Sequence, residues 1–288
     1  MIALAMMIAA SAFMAATSLI AKMLGNSGVL ETDVSSSLHP FQITAGRFAF
    51  VLLTISLVAL INRPNFRSIP WHLHVARSTS GYAGVTLLFA AAIQLPLADA
   101  TAISFLSLIV TMMLAVPLLG ERFPLVRIGF AGIAFAGALV LIRPGLDSFQ
   151  PAALLALAAA LALGLETIFI KRLSDREPAI RLLLINNLIG CLVALPFAML
   201  FWITPTADQW ILLVALGLCM ACVQALFIQA MKRAPAAQIV PYFYATLGFA
   251  ALYDWLVFET QLGVWSLLGV ATIASALIAL NFHQRHGA

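Results

Sequence analysis

Charge is what this sequence has least of. Of its 288 residues, 15 are Lys or Arg and 11 are Asp or Glu, so 9% are charged, against roughly 25% in soluble domains. So few charges cannot cover the surface of a water-exposed globule of this size. That excludes a soluble enzyme, and the apolar richness excludes a disordered chain. The only cysteines are Cys191, Cys219 and Cys222. All three lie inside apolar runs, so they form no disulfide framework and no metal-binding spacing. The five histidines, at positions 39, 72, 74, 283 and 286, fall at the ends of apolar runs and read as solvated. Neither a His-Glu-x-x-His motif nor a Cys-His set is present, which argues against an intramembrane enzyme acting on lipid or peptide, the alternative reading. No Walker motif is present to couple the chain to ATP. No cofactor or metal site is expected, and the net charge of +4 reads as orientation information, not nucleic-acid affinity.

What the chain has in quantity is apolar residues, 63% of the total. They come in continuous stretches, whereas a membrane β-barrel alternates apolar and polar positions. Crossing a bilayer as a helix takes about 20 such residues. Breakers and charges delimit ten predicted spans, at 2–24, 40–62, 73–95, 98–119, 124–142, 151–173, 179–203, 209–231, 236–258 and 263–282. Helix-stopping pairs such as Arg63-Pro64, Glu177-Pro178 and Ala234-Pro235 mark the boundaries. Span 1 does not read as a cleaved signal peptide, because no basic segment precedes it and the run is long. The expected fold is an all-α polytopic membrane protein.

Basic residues mark the cytoplasmic side. With the N-terminus inside, Arg63, Arg67, Arg77, Arg122, Arg127, Lys171, Arg172, Arg176, Arg181, Lys232, Arg233 and Arg285 fall inside, while Lys22 and Arg143 fall outside. Both termini are therefore expected in the cytoplasm, with the chain in a bacterial-type inner membrane.

The chain also repeats itself. Pro40 and Pro178 open spans 2 and 7, and Glu121 and Glu259 close spans 4 and 9, both at an offset of 138. The ends of spans 1 and 6, Ser18 to Leu24 and Thr167 to Leu173, correspond at an offset of 149. Five spans per half is an odd number, so residues 1–145 and 146–288 read as two five-helix repeats of opposite orientation. Inverted repeats place a substrate site near the midplane of secondary transporters.

Particular motifs point the same way. They include His39-Pro40-Phe41 with Arg47, the run Leu97-Ala98-Asp99-Ala100-Thr101-Ala102-Ile103-Ser104-Phe105, and Leu119-Gly120-Glu121-Arg122. They continue with Gly129 to Gly145 and with Ala230-Met231-Lys232-Arg233-Ala234-Pro235-Ala236. Together these resemble the EamA-type permeases of the drug/metabolite transporter superfamily, over nearly the whole chain. The chain differs from many members at Leu108, where they carry Pro, and at Phe258-Glu259, where they carry Gly-Glu. The resemblance implies transport, commonly efflux, of a small organic solute such as an amino acid, a nucleotide-like metabolite or a drug.

Polar groups within spans need partners or water. Arg47, in span 2, can bind an anionic substrate group or pair with an acid. Glu166, in span 6, aligns with Thr17 of the other half, and a desolvated carboxyl there can carry a proton. Its alternative partners are Lys171 and Arg172. Asp254, near the outer end of span 9, is the expected gating partner of Arg47. Tyr82, Asn187, Gln224 and Tyr244 complete the candidate substrate-binding set, and the tyrosines favour a flat or cationic solute. Proton or solute exchange would supply the coupling. Gly129, Gly132 and Gly137 of span 5 and Gly269, Ala271 and Ser275 of span 10 read as packing surfaces, candidates also for a homodimer contact. The orientation can be tested with single cysteines at Ser36 and Ser68 in a Cys-free background. An impermeant thiol reagent on intact cells should label position 36 alone, and labelling of 68 but not 36 reverses the topology.

Overall fold

The computed structural model describes residues 2–25, 38–64, 66, 69–94, 103–121, 125–142, 151–258 and 263–286. Among these there are ten helices of 14 residues or more and no strand. They are α1 (Ile2–Gly25), α2 (Pro40–Asn62), α3 (Trp71–Gln94), α4 (Leu106–Leu119), α5 (Leu125–Ile142), α6 (Pro151–Ser174), α7 (Ala179–Leu200), α8 (Ala207–Arg233), α9 (Ala245–Phe258) and α10 (Val264–His286). The motif residues Leu97 to Ala102, Arg122, Arg143-Pro144-Gly145 and Glu259 lie outside the described residues, as does the boundary expected at 145/146.

The helix ends carry the chemistry that stops and starts them. Pro40 occupies the first turn of α2, where a missing N–H costs nothing. That helix ends on Arg63, at a left-handed φ of 41°, directly before Pro64. Gly120 closes α4 at φ 70°, a conformation for which glycine carries no Cβ penalty. Thr206 and Gln209 form a reciprocal capping box at the start of α8.

Among the described residues, seven helices are long and apolar enough to cross a membrane. α3 carries His72, His74 and Arg77 in its first two turns. α4 and α9 are short, with 14 residues each. Span 9, expected as one helix over 236–258, is interrupted. A short turn of helix, Ala236–Ile239, leads into a 3-10 turn, Val240–Tyr244, before α9 begins. Pro241 supplies the reason, since it has no N–H to continue an α-helical ladder. The helical residues 103–104 are likewise separated from α4 by a turn at Phe105. Phe105 and Phe243 are 138 apart, the offset of the repeat.

Helix pairing has the same symmetry. α1 packs on α8 and α6 on α3; α1 packs on α9 and α6 on α4; α2 packs on α7 and α5 on α10. Adding five to a helix number converts each pair into another of the set, or into itself. The relation fails most clearly at α2. α2 lies along α8, whereas its counterpart, α7, meets α3 over few residues.

The contacts are made by small side chains. Ala131, Ala134, Ala138 and Ala276 are buried between α5, α10 and their neighbours. Leu53, Leu57, Ile61, Leu192 and Leu200 stand exposed on the outside. A bilayer gives helices no hydrophobic reason to associate, so close backbone approach does that work. Gly137 and Gly269 show it directly. A Cβ added at Gly269 would stand 2.8 Å from the Gly137 carbonyl oxygen. Gly129 and Gly132 have nothing within 4 Å of such an atom. Gly269→Ala should therefore destabilise by about 1–3 kcal/mol, because only backbone can move. Gly132→Ala should be neutral, or stabilise by up to about 1 kcal/mol through helix propensity. Thermal unfolding in detergent checks both.

Candidate functional site

Inside the bundle two arginines act electrostatically on one glutamate. Glu166 lies on α6, eight residues before its end, about 12 Å along the helix. Arg47 lies on α2 and Arg77 on α3, each about 9–10 Å from the start of its helix. The electrostatic partners of Glu166 are these two guanidiniums. Glu166 is the acidic partner of each in turn. Its carboxyl group lies against Gly81 of α3, where an added Cβ would stand 2.7 Å from the Glu166 Cδ. Glycine at that position leaves the carboxyl room to lie between the helices. The Arg47 guanidinium also sits over the Phe48 ring, 4.8 Å from its centroid.

The guanidiniums are incompletely satisfied. Arg77 is only 4% exposed, yet its Nε and Nη1 have no hydrogen-bond partner, and neither does Arg47 Nε. Other basic groups nearby do have acceptors. Lys171 Nζ donates to the Met231 carbonyl at 2.6 Å and to Asp175 at 2.9 Å. Arg172 donates to the Leu118 carbonyl, and Lys232 to the Glu177 carbonyl. The alternative partners expected for Glu166, Lys171 and Arg172, are thus engaged elsewhere.

Arg77 was missed by sequence reasoning, which counted it as a loop charge on the inner side. The span predicted at 73–95 already enclosed it, and that was the available signal. His74 was likewise read as solvated. It is buried and bonded to Glu177 at 2.9 Å, and Glu177 also pairs with Arg181 at 2.9 Å. This network links α3 to the turn between α6 and α7.

The remaining expected site residues are distributed elsewhere. Asp254 accepts a hydrogen bond from Lys22 at 2.9 Å, with the two side chains 43% and 47% exposed. The expected Arg47–Asp254 gate pair is therefore not formed here: α9 packs on α1, which brings Lys22 to Asp254, while Arg47 turns toward α6. Asn187 donates to Gln224 Oε1 at 2.8 Å and to the Leu183 carbonyl of its own helix. Those two amides hold α7 to α8. Tyr244 is buried and donates to the Phe105 carbonyl at 3.0 Å, joining the two interrupted spans. Tyr82 is 54% exposed, on the outward face of α3 with Val75 and Thr79. Thr17, the counterpart of Glu166, donates to Met14 within α1. Among the described residues, no three His, Cys, Asp or Glu side chains converge as a metal site.

The two ends of the bundle are fastened differently. At the end holding Lys22 and Asp254, the Gln42 amide donates to the Ile203 carbonyl and accepts from the Ile203 N–H, at 2.6 and 3.2 Å. At the opposite end, the Glu121 carboxylate accepts from the backbone N–H groups of Ala236 and Ala237, at 2.6 and 3.0 Å. An acid at a helix N-terminus satisfies orphan donors and meets the favourable end of the helix dipole.

Ionisable residues placed inside a ten-helix bundle whose halves pair symmetrically are a feature of secondary transporters. Residues 1–143 and 150–282 each match the EamA-like transporter family, so the chain belongs to that family, within the drug/metabolite transporter superfamily. It is 24% identical over 258 residues to an S-adenosylmethionine uptake transporter of Rickettsia prowazekii (strain Madrid E), covering 89% of this chain and 88% of that one. It is 27% identical over 239 residues to a riboflavin transporter of Vibrio cholerae, covering 81% and 77%. A pseudopaline exporter of Pseudomonas aeruginosa matches at 25% over 209 residues, covering 72% and 74%. These relatives are named as transporters, not enzymes. A solved crystal structure shares the fold with a TM-score of 0.83 at 19% identity, covering 99% of both chains.

The Glu121 cap crosses from α4 to the start of span 9, so its removal should be felt by the whole bundle. Glu121→Ala leaves two backbone donors unpaired and should destabilise by about 1–3 kcal/mol. Glu121→Gln keeps an acceptor and should cost less. Thermal unfolding of the purified variants in detergent ranks the two.

Proposed function

We propose that the chain is a secondary transporter that moves a small organic metabolite, such as an amino acid, a heteroaromatic metabolite or a drug, across the cytoplasmic membrane by alternating access. Arg47, Arg77 and Glu166 form its substrate and coupling centre. The observation that carries this reading is the Glu166 carboxyl of α6 lying against Gly81 of α3, one turn from the buried Arg77, with Arg47 of α2 its other electrostatic partner, so that the two family-matching segments share one set of charges. A charge at the centre of a spanning helix costs about 2.5–3.5 kcal/mol on insertion scales. Three such residues in one place are costly for packing alone and useful for binding a charged solute.

In this reading both termini lie in the cytoplasm. The Lys22–Asp254 and Gln42–Ile203 contacts then close the outer end, and the His74–Glu177–Arg181 network closes the inner one. Asn187, Gln224 and Tyr244 shape the centre by holding its helices, and Tyr82 stands away from it. Efflux is the direction favoured by the family resemblance. Relatives are named for both uptake and export, and a secondary transporter follows whichever gradient it couples to.

Glu166 is the group that can couple a proton to the solute, since its carboxyl alone in the cluster has both an ionised and a neutral form of ordinary stability. Flux assays in reconstituted vesicles under an imposed pH gradient test this, with S-adenosylmethionine and riboflavin as the first labelled solutes. Glu166→Gln should abolish gradient-driven accumulation while leaving solute-for-solute exchange within about threefold of wild type. An unchanged pH dependence in Glu166→Gln would remove the carboxyl from the coupling step.

A further inference from the structure

We infer that the transported solute is an organic monoanion, held by its carboxylate between Arg47 and Arg77; the inference rests on the permease reading and narrows its substrate class. The first argument is charge. Two guanidiniums face one carboxylate, Glu166, and it is the acidic electrostatic partner of each. The centre therefore holds one positive charge in excess. One carboxylate from the solute brings it to neutrality. A phosphate monoester, carrying close to two charges at neutral pH, would overshoot, and an amine would add to the excess.

The second argument is hydrogen bonding. Arg47 Nε and Arg77 Nε and Nη1 are buried donors without acceptors. Leaving a charged donor unpaired in a dry site is expensive. The same fold does find acceptors for Lys171, Arg172 and Lys232 and pairs Arg181 with Glu177, whereas among the described residues Arg47 and Arg77 have orphan donors and no ion pair within 4 Å. Adjacent N–H groups of a guanidinium, such as Nε and one Nη, match the two oxygens of a carboxylate. Arg77 leaves Nε, one half of such an edge, and Nη1 beyond it without a protein acceptor. Gly81 sets the geometry by letting Glu166 lie flat against α3, one turn beyond Arg77. The Glu166 carboxylate and the solute carboxylate then compete for the same two cations. Protonating Glu166 raises the positive excess and favours the anion; releasing that proton restores the competition.

A panel of matched probes on purified protein in detergent tests the assignment by thermal shift. The acids are benzoate, nicotinate and indole-3-acetate. Each is paired with its amide, and benzylamine and phenyl phosphate complete the set. At least one acid should stabilise the wild type, and its amide should not. Arg77→Gln should weaken that acid at least tenfold. Arg77→Lys, which keeps the charge and loses the fork, should weaken it less, and it carries the test if Arg77→Gln does not accumulate. Glu166→Gln should strengthen the acid several-fold and admit phenyl phosphate, a gain that a purely structural role for Glu166 does not produce. The assignment is overturned if amides or the amine bind as well as the acids, if Arg77→Gln leaves acid binding intact, or if no acid in the panel shifts the melt. Coupled flux of a neutral or cationic solute, indifferent to Arg77→Gln, would overturn it while leaving the permease reading standing. Acid binding without coupled flux of any bound acid would sink the permease reading and leave the site.

Discussion

The constraint on which the centre of the bundle turns is the Glu166 carboxyl, lying against Gly81 of α3 in the field of two arginines. On insertion scales, three unpaired charges at membrane depth would cost roughly 7–10 kcal/mol, comparable to the whole stability of an ordinary domain, about 5–15 kcal/mol. No helix could hold its share alone. The charges become tolerable only when α2, α3 and α6 are packed so that each lies in the field of the others. The packing that achieves this is visible at Gly81, where the absence of a side chain lets the carboxyl group lie against α3. The cations nearest to Glu166 in sequence are kept away from it by carbonyl acceptors on Met231 and Leu118.

Scaffold and chemistry obey different symmetries. The helix pairs interchange when the halves are exchanged, and the interruptions at Phe105 and at Val240–Tyr244 fall at matching positions and touch through the Tyr244 hydroxyl. Ser11 adds a bond from α1 to the Tyr242 carbonyl in the same region. The charges do not follow the two-fold relation. Thr17 stands where Glu166 stands in the other half and bonds only within its own helix. At the offset of 138, Arg47 corresponds to Ile185. A symmetric frame gives two related shapes of similar energy, and one-sided charge makes them distinguishable to a charged ligand.

Most of the scaffold was legible in the sequence because it is written in local signals. Apolar run length, the prolines at 40, 178 and 235, and the glycine at 120 act on their own neighbourhoods, and the helix ends fall within a few residues of them. Pro241 was equally visible, but inside an unbroken apolar run it was read through. The site was less legible, because its contacts depend on rotation about each helix axis and on which helices meet. Counting residues placed Arg47 and Asp254 at similar depth. It could not show that α1 would bring Lys22 to Asp254 while α6 brought Glu166 to Arg47. Arg77 was lost for another reason. The rule that assigns basic residues to the cytoplasmic side reads charge by position along the chain and takes no account of burial.

The two closures differ in a way that bears on how such a bundle opens. One end is held by an exposed Lys22–Asp254 pair, of a kind worth at most about 1 kcal/mol, together with the Gln42 clamp. The other end is held by buried contacts: His74 and Arg181 on Glu177, the Glu121 cap, and lysines on carbonyls. Breaking buried polar contacts is costly when the groups stay dry, but water that enters as they part replaces the bonds they lose. An apolar plug of equal area would gain no such compensation, since wetting it costs about 25 cal/mol per Å². In the proposed alternating-access cycle, polar fastenings at both ends keep the open and closed forms close in free energy. For a transporter that must visit both within one cycle, the difference between them has to be small enough for a bound solute to reverse, and a differential affinity of 10⁴-fold covers only about 5.5 kcal/mol.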